Sequence, residues 1–199
     1  MNPDLKTAYR RLMEEIFSQP TIKPQDIPNI DVYMDQLTTF MDERLRVFTR
    51  NPEKDKVLTK TMINNYTKND LLPPPHKKKY SRDHLILLIY IFHLKHNFSI
   101  EDIGSIIAPL KEMMERDHRN LPSLTDIYAE SLLWSKEEQD GIRTELDRLF
   151  EKADGTFSDI KEPIGSKLRL FSFLMLLANE VHVRQVLIEK LLDLYREEP

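Results

Sequence analysis

The sequence predicts an all-α protein, and three features of composition and patterning support that prediction. The chain has 199 residues but only four glycines, and it is rich in residues that favour helices, such as leucine, glutamate, lysine and arginine. Apolar residues recur at spacings of three and four, which is the period of an amphipathic helix. No stretch of any length shows the alternation of polar and apolar residues that is typical of a half-buried strand.

The composition also restricts the class of protein. Apolar residues make up 40% of the chain and charged residues 31%, which is typical of a soluble globular protein of one or two domains. The absence of cysteine excludes disulfides and thiolate metal sites and is compatible with a reducing cytoplasm. We expect no signal peptide, because the first residues are amphipathic and charged.

We also expect no membrane contact. The two most apolar runs, 85–94 and 168–177, are shorter than the roughly 18 residues that a membrane span needs. Both are therefore predicted to be core helices of a cytoplasmic protein.

Breaks in the helical pattern divide the chain into three regions. We predict an N-terminal helix and a proline-rich connection over 1–28, a central domain over 29–118, and a C-terminal helical region over 119–199. The predicted helices beyond the first cover about 32–47, 58–71, 82–96, 100 onward, 121–153 and 163–197. Ser81 and Ser99 are predicted N-caps, the latter in a capping box with Asp102. Asn97 is a predicted left-handed C-cap, and Pro109 is expected to kink or end its helix.

The charge is distributed unevenly along the chain. The net charge is −4, but residues 54–95 contain nine basic and three acidic residues. This segment is therefore +6 and the remainder −10. A basic segment in an acidic protein indicates a local anionic partner; the alternative is that the lysines only keep the protein soluble.

The helix predicted over 58–71 has two different faces. Its apolar residues share one face, whereas Thr61, Asn64, Asn65 and Lys68 share the other at offsets of three, four and seven. Asparagine and threonine are mediocre helix formers. Their concentration on an exposed face favours a role in recognition over a role in stability.

A stiff basic segment follows this helix. Three consecutive prolines, Pro73 to Pro75, end the helix and hold residues 76–82 at a fixed angle. A helix beside a basic wing is the arrangement that reads a DNA groove and binds the flanking phosphates. The predicted DNA-binding residues are Lys60, Thr61, Asn64, Asn65 and Lys68 on the helix, and Lys77, Lys78, Lys79, Tyr80 and Arg82 in the wing.

The order of these motifs resembles the MerR-like winged helix-turn-helix. The matching positions are Tyr66, Leu71, Leu72, Pro73, Tyr80, Ser81, Phe98, Ser99 and Ile103. The resemblance implies that residues 29–118 are a double-stranded-DNA-binding domain of a transcriptional regulator, and that later helices form a homodimer. Asp70 and Asn97 stand where that family usually has glycine, and Asn64 and Lys79 replace arginines. We therefore do not transfer the family's target sequence.

Residues 26–110 resemble, more closely still, a bacterial family catalogued as a domain of unknown function with a presumed MerR-like head. This wider resemblance supports the same fold and the same DNA-binding function. It gives no indication of which genes are regulated.

Several alternatives stay open at the level of sequence. The last helix either packs within the chain or pairs with a second copy, and we expect a homodimer. Trp134 and the methionines of the C-terminal half allow a small-molecule effector pocket, but plain core is the commoner role of such residues. The alternative function is a winged-helix protein-interaction module that docks an acidic partner through the lysines; an RNA reader is disfavoured because the basic segment lacks stacking aromatic residues.

We expect no enzyme, no metal site and no cofactor. His76, His84, His93 and His96 lie in the basic segment, but His84 is about two and a half helical turns from His93, too far to share one metal ion. The chain has no HExxH motif, glycine-rich phosphate loop or GxSxG motif.

Overall fold

The computed structural model describes residues 5–115 and 121–197. The described part of the chain contains seven α-helices and one antiparallel pair of two-residue strands. In chain order these are α1 (Leu5–Phe17), β1 (Val32–Tyr33), α2 (Met34–Leu45), α3 (Lys60–Lys68), β2 (Lys79–Tyr80), α4 (Arg82–Leu94), α5 (Ile100–Glu115), α6 (Leu124–Asp154) and α7 (Ile164–Glu197). The predicted helical class is confirmed.

The chain divides into two compact units. The central unit is Thr21–Leu132, and the terminal unit consists of the chain before Thr21 and after Leu132. The boundary between the two units falls within α6, which contributes residues to each unit.

The core of the central unit is built around α4. This helix buries apolar side chains on nearly every side, as predicted for residues 85–94. Side chains from α2, α3 and α5 surround it, with Leu37, Met41, Leu45, Ile63, Ile103 and Ile107 fully or almost fully buried. Polar contacts fix the irregular segments: the Tyr128 hydroxyl donates to the Ile22 carbonyl at 2.7 Å and the Lys95 amine to the Val57 carbonyl at 2.7 Å.

The terminal unit has a smaller core of aromatic residues. Tyr9 of α1 stacks on Phe150 of α6 with ring centroids 4.1 Å apart, and both meet the edge or face of Phe173 from α7. The Tyr9 hydroxyl donates to Asp147 at 2.7 Å, and burial together with that carboxylate raises the Tyr9 pKa.

Two predictions about helices were wrong in detail, and one of the two outcomes expected at Pro109 is excluded. The helix predicted over 58–71 covers Lys60–Lys68, with Thr59 as its N-cap. Pro109 does not end α5, which continues to Glu115, because Ile103, Ile107, Leu110 and Met113 keep one face against the core and offset the lost hydrogen bond. Asn97 is not left-handed; the amides of Asn97 and Phe98 both donate to the Leu94 carbonyl and close the helix end.

The prediction that residues 168–177 form a core helix holds for part of α7 only: Phe173 is buried, and Leu176 and Leu177 pack against the aromatic core. Within this chain Leu170, Phe171, Leu174 and Met175 of α7 are each 40–57% exposed. Among the described residues, α7 is the helix that is long and apolar enough to cross a membrane, judged by length and composition alone. Only 6% of its most apolar 18-residue stretch is buried.

Candidate nucleic-acid interface

The local sequence defines α3 at both ends and on both faces. The Thr59 hydroxyl accepts a hydrogen bond from the Met62 amide at 3.2 Å and so caps the first turn. Ile63 and Tyr66 are buried against the core. The four residues of the predicted recognition face, Thr61, Asn64, Asn65 and Lys68, are all exposed.

The end of α3 is a Schellman motif that uses aspartate where glycine is common. The Leu71 amide donates to the Tyr66 carbonyl at 2.8 Å, and the Asp70 amide donates to the Thr67 carbonyl at 3.2 Å. Asp70 has φ 56°, the left-handed conformation that glycine takes at this position of a Schellman motif. Leu71 and Leu72 then enter the core and fix the direction of the chain as it leaves the helix.

The wing is a short β-hairpin with lysines at its tip. His76 and Lys79 form an antiparallel bridge, and the two residues between them, Lys77 and Lys78, have φ 48° and 64°. Two successive positive φ angles define a type I′ turn, which normally carries Asn-Gly because most side chains disfavour this conformation. Both lysines are exposed.

A strand that the sequence pattern did not predict anchors this hairpin. β1, immediately before α2, pairs with β2, so that Val32 lies opposite Tyr80 and Tyr33 opposite Lys79. The Lys79 amine lies 5.2 Å from the centre of the Tyr33 ring, a cation–π contact. Since α2 packs against both α3 and β2, one helix supports the recognition face and the wing.

Some residues of the predicted interface have structural contacts instead of a free side chain. Tyr80 is 4% exposed and packs in the core. The Arg82 guanidinium donates to the Pro24 carbonyl and is half-buried. Lys60 pairs with Asp35 of α2 while staying exposed. The side chains available to a partner are therefore Thr61, Asn64, Lys68, Lys77 and Lys78, with Lys60 and Lys79 at the margin. Asn65 is exposed, but its Oδ1 atom accepts a hydrogen bond from Asn69 Nδ2 at 3.2 Å.

His84 joins the wing to α4. Its Nδ1 atom lies 3.1 Å from the donating Ser81 amide and 2.8 Å from the Ser81 hydroxyl, and its ring meets the edge of Tyr80. Burial lowers the His84 pKa, while the carbonyls of Pro73 and Pro74 and nearby carboxylates oppose that shift. The predicted N-cap at Ser81 is confirmed, but the partner imidazole was not foreseen.

Among the described residues, few features suit the binding of a metal ion or of an enclosed ligand. Residues 5–115 and 121–197 contain no group of three or more His, Asp or Glu side chains placed to hold a metal ion. A groove of about 340 Å³ lies between α1 and α6 in the terminal unit, where Tyr9, Met13 and Phe150 are flanked by charged side chains. This groove is open to solvent and lined largely by charged residues. Small-molecule sites are typically enclosed and mostly apolar.

The fold and this surface together define a helical protein whose central unit presents a polar helix beside a basic hairpin. The family described as "Domain of unknown function (DUF1836)" matches residues 22–131, more than half of the chain, and the protein belongs to this family. The match coincides closely with the central unit. No curated protein and no solved structure matches the chain.

Proposed function

We propose that this protein is a DNA-binding transcriptional regulator with a MerR-like winged helix-turn-helix. In this proposal α3 reads the major groove through Thr61, Asn64, Asn65 and Lys68, and the hairpin binds the flanking phosphates. Asparagine contacts adenine bidentately in the major groove, whereas lysine binds phosphate as a point charge.

One observation carries the proposal: two lysines occupy the left-handed positions of the hairpin turn, next to a helix with an exposed amide and hydroxyl face. Lysine has no conformational advantage there, and each such residue costs about 1–2 kcal/mol relative to the ordinary backbone. A binding role for the charge accounts for two unfavourable residues in succession at the point that projects furthest from the strands.

The proposal is tested by selecting genomic DNA fragments with the purified protein at stepped salt concentrations. A Lys77/Lys78/Lys79→Ala variant is run in parallel. We expect a defined site to be enriched, and the variant to lose affinity with a salt dependence that is shallower by about 0.9 for each lysine contact. Weak, sequence-independent retention that disappears at moderate salt would contradict the proposal.

The alternative is that the lysines dock an acidic protein, and Asn64→Ala separates the two functions. A groove reader loses about 1–3 kcal/mol of base discrimination with each bidentate contact, whereas a protein-docking surface built on lysines does not depend on that amide. Asn97→Ala, an exposed position beyond the end of α4, is the matched control. Unchanged discrimination in Asn64→Ala would favour the docking module.

We also propose that the regulator is a homodimer, assembled through the terminal unit. The exposed large apolar side chains of α7 are Ile164, Leu170, Phe171, Leu174, Met175, Val181, Val183, Leu187, Leu191, Leu194 and Tyr195. At roughly half exposure each side chain presents on the order of 80 Å² of apolar surface, so the eleven together match the ~800 Å² per partner of a standard interface.

The distribution of these residues favours a four-helix arrangement. They lie on more than one face of α7, and α6 adds Leu133, Trp134 and Ile142, each at least 41% exposed. Two helical hairpins, one from each copy, cover several faces at once in a four-helix bundle. The charged pair Glu180 and Arg184, near the middle of α7, suits a protein interface in water better than the centre of a bilayer.

A further inference from the structure

Asp70 adopts a conformation that glycine alone takes without a steric cost, and a distant lysine contacts it there. Its φ of 56° is stabilised from outside the turn by Lys111 of α5. The Lys111 amine donates both to the Asp70 carbonyl and to its Oδ2 atom, the latter at 2.8 Å. One cation therefore contacts the backbone and the side chain of the same left-handed residue.

The burial of Lys111 distinguishes this contact from an ordinary surface ion pair. The Lys111 side chain is 14% exposed, whereas that of Asp70 is 90% exposed. Fully exposed pairs contribute little, whereas most of the Lys111 side chain is packed against the protein, so its amine is held in place beside both Asp70 acceptors. The positive charge also lies beside the C-terminal end of α3, where the helix dipole favours a cation.

The turn held by Lys111 sets the geometry of the candidate interface. Asp70 is the residue at which the chain turns out of α3, and only residues 71–75 separate it from the hairpin. The direction of that segment decides how the recognition face is placed relative to the wing lysines.

We infer that Lys111 is a positioning residue for this interface, which compensates for the aspartate at a position suited to glycine. Its effect on DNA rests on the proposed function, whereas its effect on the turn is independent of it. The two parts can therefore fail separately.

The test of the turn is amide hydrogen exchange, measured by NMR on the full chain without DNA. In Lys111→Met we expect the Leu71 amide, which donates to Tyr66, to exchange about tenfold faster because the left-handed residue has lost its support. The Ile63 amide, which donates to Thr59 at the other end of α3, should be unchanged. Lys136→Met, an exposed lysine of α6 in the terminal unit, controls for the loss of one charge.

A second substitution tests the compensation. Glycine adopts positive φ without a steric cost, so Asp70→Gly combined with Lys111→Met should restore the slow exchange at Leu71. If Lys111→Met leaves Leu71 protected, or if the double variant is as disrupted as the single one, the inference is wrong. The second result would mean that Lys111 supports the core in general.

The same variants are then measured with the DNA fragment selected by the wild type. Lys111→Met should weaken binding about tenfold with an unchanged salt slope, since a positioning residue releases no counterion, and Asp70→Gly should restore affinity. A slope lower by about 0.9 would mean that Lys111 itself touches phosphate, which overturns the positioning role. If the wild type binds no DNA, the proposed function fails, and the exchange data alone decide whether Lys111 fixes the turn.

Discussion

His84 is a buried titratable residue at the junction of the wing and α4. Its Nδ1 atom accepts the Ser81 amide proton and thereby satisfies one donor at the start of α4. Protonation would place an N–H group against that donor and a charge in the core. Asp31, Asp83 and Arg82 lie around this region, and the two carboxylates oppose but do not reverse the effect of burial on the His84 pKa.

We predict that His84 makes the protein less stable in acid. Because its pKa in the folded state is below the ordinary value of about 6.5, the unfolded chain binds the proton first as the pH falls. The free energy of unfolding should therefore decline from about pH 6.5 down to the folded pKa, by at most about 1.4 kcal/mol per pH unit for this group.

Urea unfolding between pH 5 and 8 measures this dependence, with His84→Gln as the comparison. Glutamine at this position keeps an acceptor for the Ser81 amide, as in a capping box, but does not titrate. The stability difference between the two proteins should change with pH below about 6.5. Parallel pH profiles would show that folding does not change the His84 pKa, which would contradict the prediction.

The orientation of individual side chains was the hardest feature to predict. Tyr80 and Arg82 share the basic segment with Lys77 and Lys78, and residue type alone does not show which side chains point inward. The register with β1 turns Tyr80 into the core, and the proline-rich connection brings the Pro24 carbonyl to Arg82. Both facts depend on contacts with segments that precede the wing by tens of residues.

At the scale of elements, the hairpin turn combines charge with an unfavourable backbone. We predict that Lys77→Asn with Lys78→Gly stabilises the protein by about 1–2 kcal/mol, because these residues suit a type I′ turn. The same variant should bind DNA more weakly, with a salt slope lower by about 0.9 for each lysine lost. Denaturant unfolding and binding at several salt concentrations measure the two effects.

The control for this variant is Lys77→Ala with Lys78→Ala. It removes the same charges but keeps side chains at both left-handed positions, so binding should weaken equally while stability does not rise. Equal stability of the two variants would show that the turn is unstrained. Unimpaired binding by either would show that its lysines do not contact the partner.

Most elements were predictable because their signals are local. The apolar period located α2 to α5, and Ser81 and Ser99 capped the helices as predicted. The strands were missed because a two-residue strand is too short to show alternation. The local signal of Pro109 could not decide between a kink and an end; the burial of the surrounding face keeps α5 continuous.

At the scale of the whole molecule, the proposed dimer can be tested by the mass of the protein in solution and by substitutions on α7. Leu187→Gln with Leu191→Gln replaces two side chains that are each at least 55% exposed in one chain, so the fold of the chain should tolerate the change while the dimer weakens. Sedimentation equilibrium should give a dimer for the wild type and a larger monomer fraction for the variant.

Ile30→Gln is the control, since Ile30 is exposed but belongs to the central unit. It should leave the mass unchanged. A wild-type chain that is monomeric at all concentrations would refute the dimer, and binding of that monomer to lipid vesicles would assign the apolar surface of α7 to a membrane.

The sequence could not predict the exposure of α7. An apolar helix inside a core and one that waits for a partner have the same composition, and only the surroundings differ. The residues of the central unit, by contrast, bury their apolar faces within the same chain, which is why periodicity alone located its core.

The position of the family boundary within α6 has a practical consequence for anyone who prepares the conserved part alone. The match ends at residue 131, but α6 runs without interruption to Asp154. A fragment cut there would lose the partners of its last carbonyl groups and would fray over its final turn. That turn carries Tyr128, whose hydroxyl donates a hydrogen bond to the Ile22 carbonyl. It also carries Ser131, whose hydroxyl lies 3.0 Å from the Tyr90 hydroxyl in a hydrogen bond. The useful end of a fragment is therefore one or two turns beyond the end of the recognisable homology.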